Sequence, residues 1–90
     1  MPTREITIIN KLGLHARAAA KFVGVATRYP CNVRIGRDAA SLVDGKNIMA
    51  VMMLAASQGT PLHLRTEGEQ EEHALEALKA LIEDYFEEGE

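Results

Sequence analysis

The sequence contains no tryptophan, two tyrosines and two phenylalanines in 90 residues, so aliphatic side chains and methionine must fill its core. Proteins that bind single-stranded nucleic acid rely on aromatic stacking platforms and a basic excess. This chain has neither, and with a formal net charge of −3 it is not expected to bind nucleic acid. A single cysteine, Cys31, excludes an intramolecular disulfide and fits a reducing cytosol. No apolar run approaches the roughly 20 residues that cross a bilayer. The opening residues Met1-Pro2-Thr3-Arg4-Glu5 lack the apolar stretch of a signal peptide. These absences leave a soluble, cytoplasmic domain, not inserted in a membrane, as the expectation.

What is present is unevenly spread. Residues 1–46 hold eight Lys/Arg against three Asp/Glu, whereas residues 47–90 hold two against ten. The basic excess belongs to one half, which suits a focused anionic ligand or an acidic partner. Ninety residues, 47% of them hydrophobic, make one domain over 1–90 with a modest core.

Glu5-Ile6-Thr7-Ile8 alternates polar and apolar, the period of a half-buried strand, and Asn10-Lys11-Leu12-Gly13 follows as a loop. From Ala16 to Arg28 the period becomes helical. Ala19, Phe22, Val23 and Ala26 share one face, with Arg17, Lys21, Gly24 and Arg28 opposite. Tyr29-Pro30 stops that helix. Cys31, Val33 and Ile35 alternate with polar residues as a second strand. A turn at Gly36-Arg37-Asp38 leads to a short third strand over Ala40 to Val43, paired with the second as a hairpin. Asp44-Gly45 turns the chain, Asn47 caps a helix over Ile48 to Ala55, and Ser57-Gln58-Gly59 ends it. Leu62 and Leu64 alternate with His63 and Arg65 in a fourth strand. After Gly68 a last helix runs to about Phe86, burying Leu75, Leu78, Leu81, Ile82, Tyr85 and Phe86. Its early acids suit the helix dipole, while Glu87 and Glu88 sit at the unfavourable end and are expected to fray. The order β-α-β-β-α-β-α predicts an α+β fold: a four-stranded antiparallel sheet with three helices on one face, an open-faced β-sandwich.

His15 stands where the extended run gives way to the alanine-rich helix. Backbone N–H groups at a helix start have no acceptor within the helix, and together with the dipole they favour an anion. Imidazole nitrogen is a competent nucleophile near neutral pH. Two residues on, Arg17 offers a guanidinium that pairs bidentately with phosphate oxygens. By itself a histidine at a helix start is a surface residue or a cap, and Arg17 with Lys21 is a solvated stripe. The combination supplies what phosphoryl transfer needs, positioning and charge stabilisation. The second helix has two readings as well. Ile48, Val51, Met52 and Ala55 at helical spacing make a core stripe, with Val51 the clearest core residue. Met49 and Met53 fall outside it, so the helix is apolar nearly all round and is either buried or offers a patch to a partner. Methionine suits a surface that fits several partners.

The stretch Asn10-Lys11-Leu12-Gly13-Leu14-His15-Ala16-Arg17-Ala18-Ala19-Ala20-Lys21 resembles the active-site segment of HPr-type phosphocarrier proteins of the bacterial phosphotransferase system. Asp44-Gly45-Lys46-Asn47-Ile48-Met49-Ala50-Val51-Met52-Met53-Leu54 resembles that family's second signature. The resemblance implies that His15 accepts a phosphoryl group at Nδ1 from phosphorylated enzyme I and passes it to an EIIA-type protein. Arg17 would steady the phosphate and the amides of Ala16 and Arg17 would cradle it. Ala20, Lys21, Ile48, Met49 and Met52 would dock both partners. The protein would be a monomeric carrier rather than an enzyme, with no cofactor and no metal.

Three positions depart from the family pattern. Ala18 stands where many relatives have proline after the active-site arginine. Asn47 stands where many carry a regulatory serine, and it has no hydroxyl to phosphorylate. Gly24 and Thr27 replace lysines of some sugar-branch relatives. The Asn10–Gly13 lead-in, the acid-rich last helix and the missing serine resemble the nitrogen-related carriers, NPr, and sugar-branch HPr proteins share the first two features. A regulatory binding module on the same fold, and an enzyme using His15 as a general base, stay open as alternatives on the residues alone. His63 and His73 have no close-spaced second ligand, and Cys31 reads as an inert core thiol.

Overall fold

A computed structural model describes residues 3–87. The elements run in the order β1 (Thr3–Thr7), α1 (Ala16–Ala26), β2 (Asn32–Gly36), β3 (Val43–Asp44), α2 (Ile48–Met52), β4 (Pro61–Glu67) and α3 (Glu71–Glu83), followed by a 3₁₀ turn over Tyr85–Glu87. The sheet order is β1-β4-β2-β3 and every neighbouring pair is antiparallel. Period-two alternation puts Ile6, Val33, Ile35, Leu62, Leu64 and Thr66 on one side of the sheet, all buried. The helices cover that side, sealing it with Ala19, Phe22, Val51, Leu75, Leu78 and Ile82 in one cluster. Cys31 belongs to the same cluster as a buried thiol.

Several boundaries differ from the pattern reading, each for a local reason. The third strand is Val43–Asp44, not Ala40 to Val43. The Asp38 carboxylate accepts the Ala40 amide at 3.0 Å and its carbonyl accepts the Ser41 amide at 2.9 Å, so a turn consumes the residues assigned to the strand. Helix α1 stops at Ala26, because the amides of Arg28 and Tyr29 bond three residues back, to Val25 and Ala26. Helix α2 likewise stops at Met52 rather than Ala55. The amides of Leu54 and Ala55 bond to Val51 and Met52, and Ala55 turns left-handed at φ 50. The last helix ends at Glu83, not near Phe86. Tyr85, Phe86 and Glu87 all have positive φ, which breaks the helical period. Phe86 therefore enters the core, while Tyr85, expected inside, stays 39% exposed. Glu87 lies in the 3₁₀ turn and its amide bonds to Asp84 O, whereas Glu88 falls outside the described residues. Among the described residues no helix is long and apolar enough to cross a membrane.

Candidate functional site

The loop before α1 is built by short-range bonds. Gly13 sits at φ +68, a conformation that costs a residue with a Cβ roughly 1–2 kcal/mol. Its amide bonds to Asn10 O at 3.2 Å, and the buried Asn10 side chain donates from Nδ2 to Gly13 O at 2.8 Å. The Leu14 amide then donates to Ala56 O at 2.8 Å, and the Leu14 side chain is buried. The loop is thereby fastened to the segment that leaves α2. The neighbouring segment is tied in turn: Gln58 Nε2 donates to Ile9 O at 3.1 Å and the Gly59 amide to Ile8 O at 2.7 Å.

His15 is the residue at which this loop becomes helix α1. Its backbone is extended (φ −72, ψ 176) and its side chain makes no cap bond. The first amide with an acceptor in the helix is that of Ala19, which donates to His15 O at 2.8 Å. The amides of residues 16–18 belong to the first turn of α1, where a helix offers no acceptor of its own. The ring is half-buried with Nε2 shielded from water, while Arg17 is exposed one step along the same terminus. Ala20 is exposed and Lys21 half-buried one turn further on. Ala18, at the position of the departure from proline, is buried.

Helix α2 packs beside α1. Asn47 caps it as expected, its Oδ1 accepting the Ala50 amide at 3.1 Å. Val51 is buried, and Ile48, Met49 and Met52 are exposed, with Met49 at 63%. The apolar surface runs wider than those three: Met53 is 80% and Leu12 69% exposed. Leu12 carried a legible signal, a large apolar residue beside a glycine in an otherwise polar loop. The structural duties of Asn10 and Arg37 were not legible, since each acts on backbone atoms that only the fold brings near. Replacing Asn47 by alanine is expected to cost about 1 kcal/mol. A thermal melt reads this as a drop of about 4–8 °C. A drop under about 1 °C would mean that the cap contributes nothing.

Other candidates stay apart from this cluster. The His63 ring lies 3.8 Å from the Glu5 carboxylate on the sheet, and His73 is exposed on α3. Among the described residues no three His, Cys, Asp or Glu side chains gather as metal ligands. A groove between α1 and α3, lined by Val25, Arg28, Ala77 and Leu81 among others, includes none of the residues around His15.

Residues 2–84 match the family model described as "PTS HPr component phosphorylation site". The chain belongs to the HPr family. It is a phosphocarrier protein of the phosphotransferase system, as its relatives are named. It is 74% identical over 90 residues to the phosphocarrier protein HPr of Pseudomonas aeruginosa and 69% identical over 90 to that of Pseudomonas putida, covering 100% of both chains in each case. Among solved structures, HPr-C-His from Thermoanaerobacter tengcongensis superposes with a TM-score of 0.91 at 42% identity, over 98% of each chain. The HPr fold thus matches the open-faced α+β architecture that the pattern of strands and helices predicts.

Proposed function

We propose that His15 is the phosphoryl acceptor, taking the group at Nδ1 from phosphorylated enzyme I and passing it to a histidine of an EIIA-type protein. The observation that carries this reading is the imidazole at the α1 N-terminus, with Nε2 shielded and the first-turn amides of the helix following it in the chain. The Nδ1 lone pair attacks phosphorus as the bond from phosphorus to the donor nitrogen breaks, returning its electron pair to the donor ring. The Nε2 proton stays in place. In the second transfer His15 is the leaving group. Arg17 and the amides of Ala16 and Arg17 offset charge on the phosphoryl oxygens. Ala20, Lys21, Ile48, Met49 and Met52 form the docking surface for both partners, joined by Met53 and Leu12. The protein acts as a single domain over 1–90, cytoplasmic and monomeric, and as a carrier consumed and regenerated rather than a catalyst with its own turnover.

The test is incubation with enzyme I and phosphoenolpyruvate, followed by mapping of the label. Acid-labile phosphate on His15 Nδ1 is the expected product, and a wild-type chain that stays unlabelled refutes the reading.

Asn47 carries a further consequence within this reading. With an amide at the capping position, the chain escapes the seryl kinase that controls many relatives. Incubation with that kinase and ATP is expected to add no acid-stable phosphate, and label on Ser41 or any other serine would disprove it. The nitrogen-branch reading is supported by the missing serine, which among the features that resemble that branch is the one not shared with sugar-branch HPr proteins. It predicts faster labelling by the nitrogen-type enzyme I than by the sugar type, compared side by side. Equal or slower labelling returns the chain to the sugar branch. A regulatory module acting through its phosphorylation state would bind partners without passing the group on, so stoichiometric transfer to an EIIA-type acceptor excludes it.

A further inference from the structure

Arg37 lies in the turn after β2, yet its guanidinium reaches the segment that leaves α2. Nε donates to Leu54 O and a terminal nitrogen to Ala55 O, each at 2.8 Å. Both carbonyls lie in the segment just beyond the end of α2 at Met52, and a charged donor on two carbonyls in succession is a strong clamp. Ala55, one of the two, is left-handed at φ 50, where its Cβ is unfavourable. The next carbonyl, of Ala56, accepts the Leu14 amide at 2.8 Å. The same Ala56 carbonyl and Ser57 Cα form the wall against which Gly13 is packed. Leu14 immediately precedes His15. One strained residue and one hydrogen bond therefore separate the Arg37 clamp from the α1 N-terminus.

We propose that Arg37 is a positioning residue for phosphoryl transfer. By clamping the carbonyls of Leu54 and Ala55 it holds Ala55 left-handed, which aims the Ala56 carbonyl at the Leu14 amide and fixes the orientation of His15. The inference rests on the reading of His15 as the phosphoryl acceptor. Arg37 is exposed, so it does this from outside the core. Lysine, a point charge without the planar fork, reproduces the clamp only in part.

The test compares wild type with Arg37→Ala, Arg37→Lys and the double variant Arg37→Ala/Ala55→Gly on two readouts. One is amide hydrogen exchange at Leu14, read against Leu64 and Val33 in the sheet. The other is kcat and KM for phosphorylation by enzyme I. Arg37→Ala is expected to speed exchange at Leu14 about tenfold and leave Leu64 and Val33 within about twofold. It lowers kcat about fivefold with KM changed less than about twofold, as loss of alignment should. Arg37→Lys falls between. In the double variant glycine occupies the left-handed position without strain, so Leu14 protection and kcat return to within about twofold of wild type. Unchanged Leu14 exchange in Arg37→Ala overturns the proposal, and so does a double variant as impaired as the single one. Faster exchange throughout the sheet also overturns it, because that assigns Arg37 to global stability. Hydrogen exchange requires no phosphorylation: an unlabelled wild type refutes the acceptor reading, whereas a labelled wild type with unmoved Leu14 exchange refutes the positioning role alone.

Discussion

His15→Ala is expected to lower phosphoryl labelling by enzyme I at least about a thousandfold, to background, while the chain stays folded. The two halves of this expectation come from separate observations. Loss of the imidazole removes the nitrogen that forms the bond to phosphorus, and neither Arg17 nor a backbone amide can replace a nucleophile. His63 and His73, the other histidines, stand outside the α1 terminus, on β4 and at an exposed position of α3. Stability, by contrast, draws on the ring through no helix cap. His15 makes no side-chain cap bond to α1, whose buried face is Ala18, Ala19, Phe22 and Ala26. The melt should therefore move by less than the cost of a lost cap, about 1 kcal/mol. Label retained in the variant at more than about a hundredth of the wild-type level would place the acceptor elsewhere. Loss of label together with unfolding would show that the ring is a structural element, and the circular dichroism of the same sample distinguishes the two.

The residues around His15 differ in how openly the sequence declares them. His15, Arg17 and Lys21 are legible because a helical period and a chemical type coincide over a few positions. Val51 and Met49 are legible for the same reason: one falls inside an apolar stripe, the other off it. Asn47 is legible because capping is a local contest between a side chain and the next three amides. The α2 boundary was set by something else. A helix over Ile48 to Ala55 follows from propensity alone, yet the chain leaves the helix at Met52. It tightens through Leu54 and Ala55 and accepts two bonds from Arg37, seventeen and eighteen residues away in sequence. Nothing in a local window announces that an exposed arginine in one turn will donate to two carbonyls at the exit of another element. The third strand fails for the opposite reason. Its competing interaction was local, an aspartate bonding two residues on, and Asp38 followed by small residues is a recognisable turn former. At the C-terminus, apolar character makes Tyr85 and Phe86 read alike. The left-handed turn gives the core position to Phe86 alone.

Gly13→Ala is the second substitution with a large expected effect, a loss of about 3 kcal/mol or more. Two costs combine. An alanine at φ +68 loses roughly 1–2 kcal/mol through its own backbone. Its Cβ would also lie 2.4 Å from Ala56 O and 2.8 Å from Ser57 Cα, backbone atoms that a rotamer change cannot move. The loop and the α2 exit must separate, and the bond from the Leu14 amide to Ala56 O opens, forfeiting about a further 1 kcal/mol. Asn10 is drawn in as well, because its buried side chain donates to the carbonyl of the displaced residue, and an unsatisfied buried amide costs about 1–3 kcal/mol. For a domain of this size the melting temperature should fall by about 12 °C or more. Gly59 provides the control. It too has a positive φ, at +89, but an added Cβ meets nothing within 4 Å, so Gly59→Ala carries only the backbone cost of about 1–2 kcal/mol. The difference between the two melts isolates the wall formed by Ala56 and Ser57. If Gly13→Ala melts no lower than Gly59→Ala, the close approach that fastens the His15 loop to the end of α2 does not exist in solution. If it melts lower and the folded fraction is labelled more slowly, stability and phosphoryl transfer depend on the same contact.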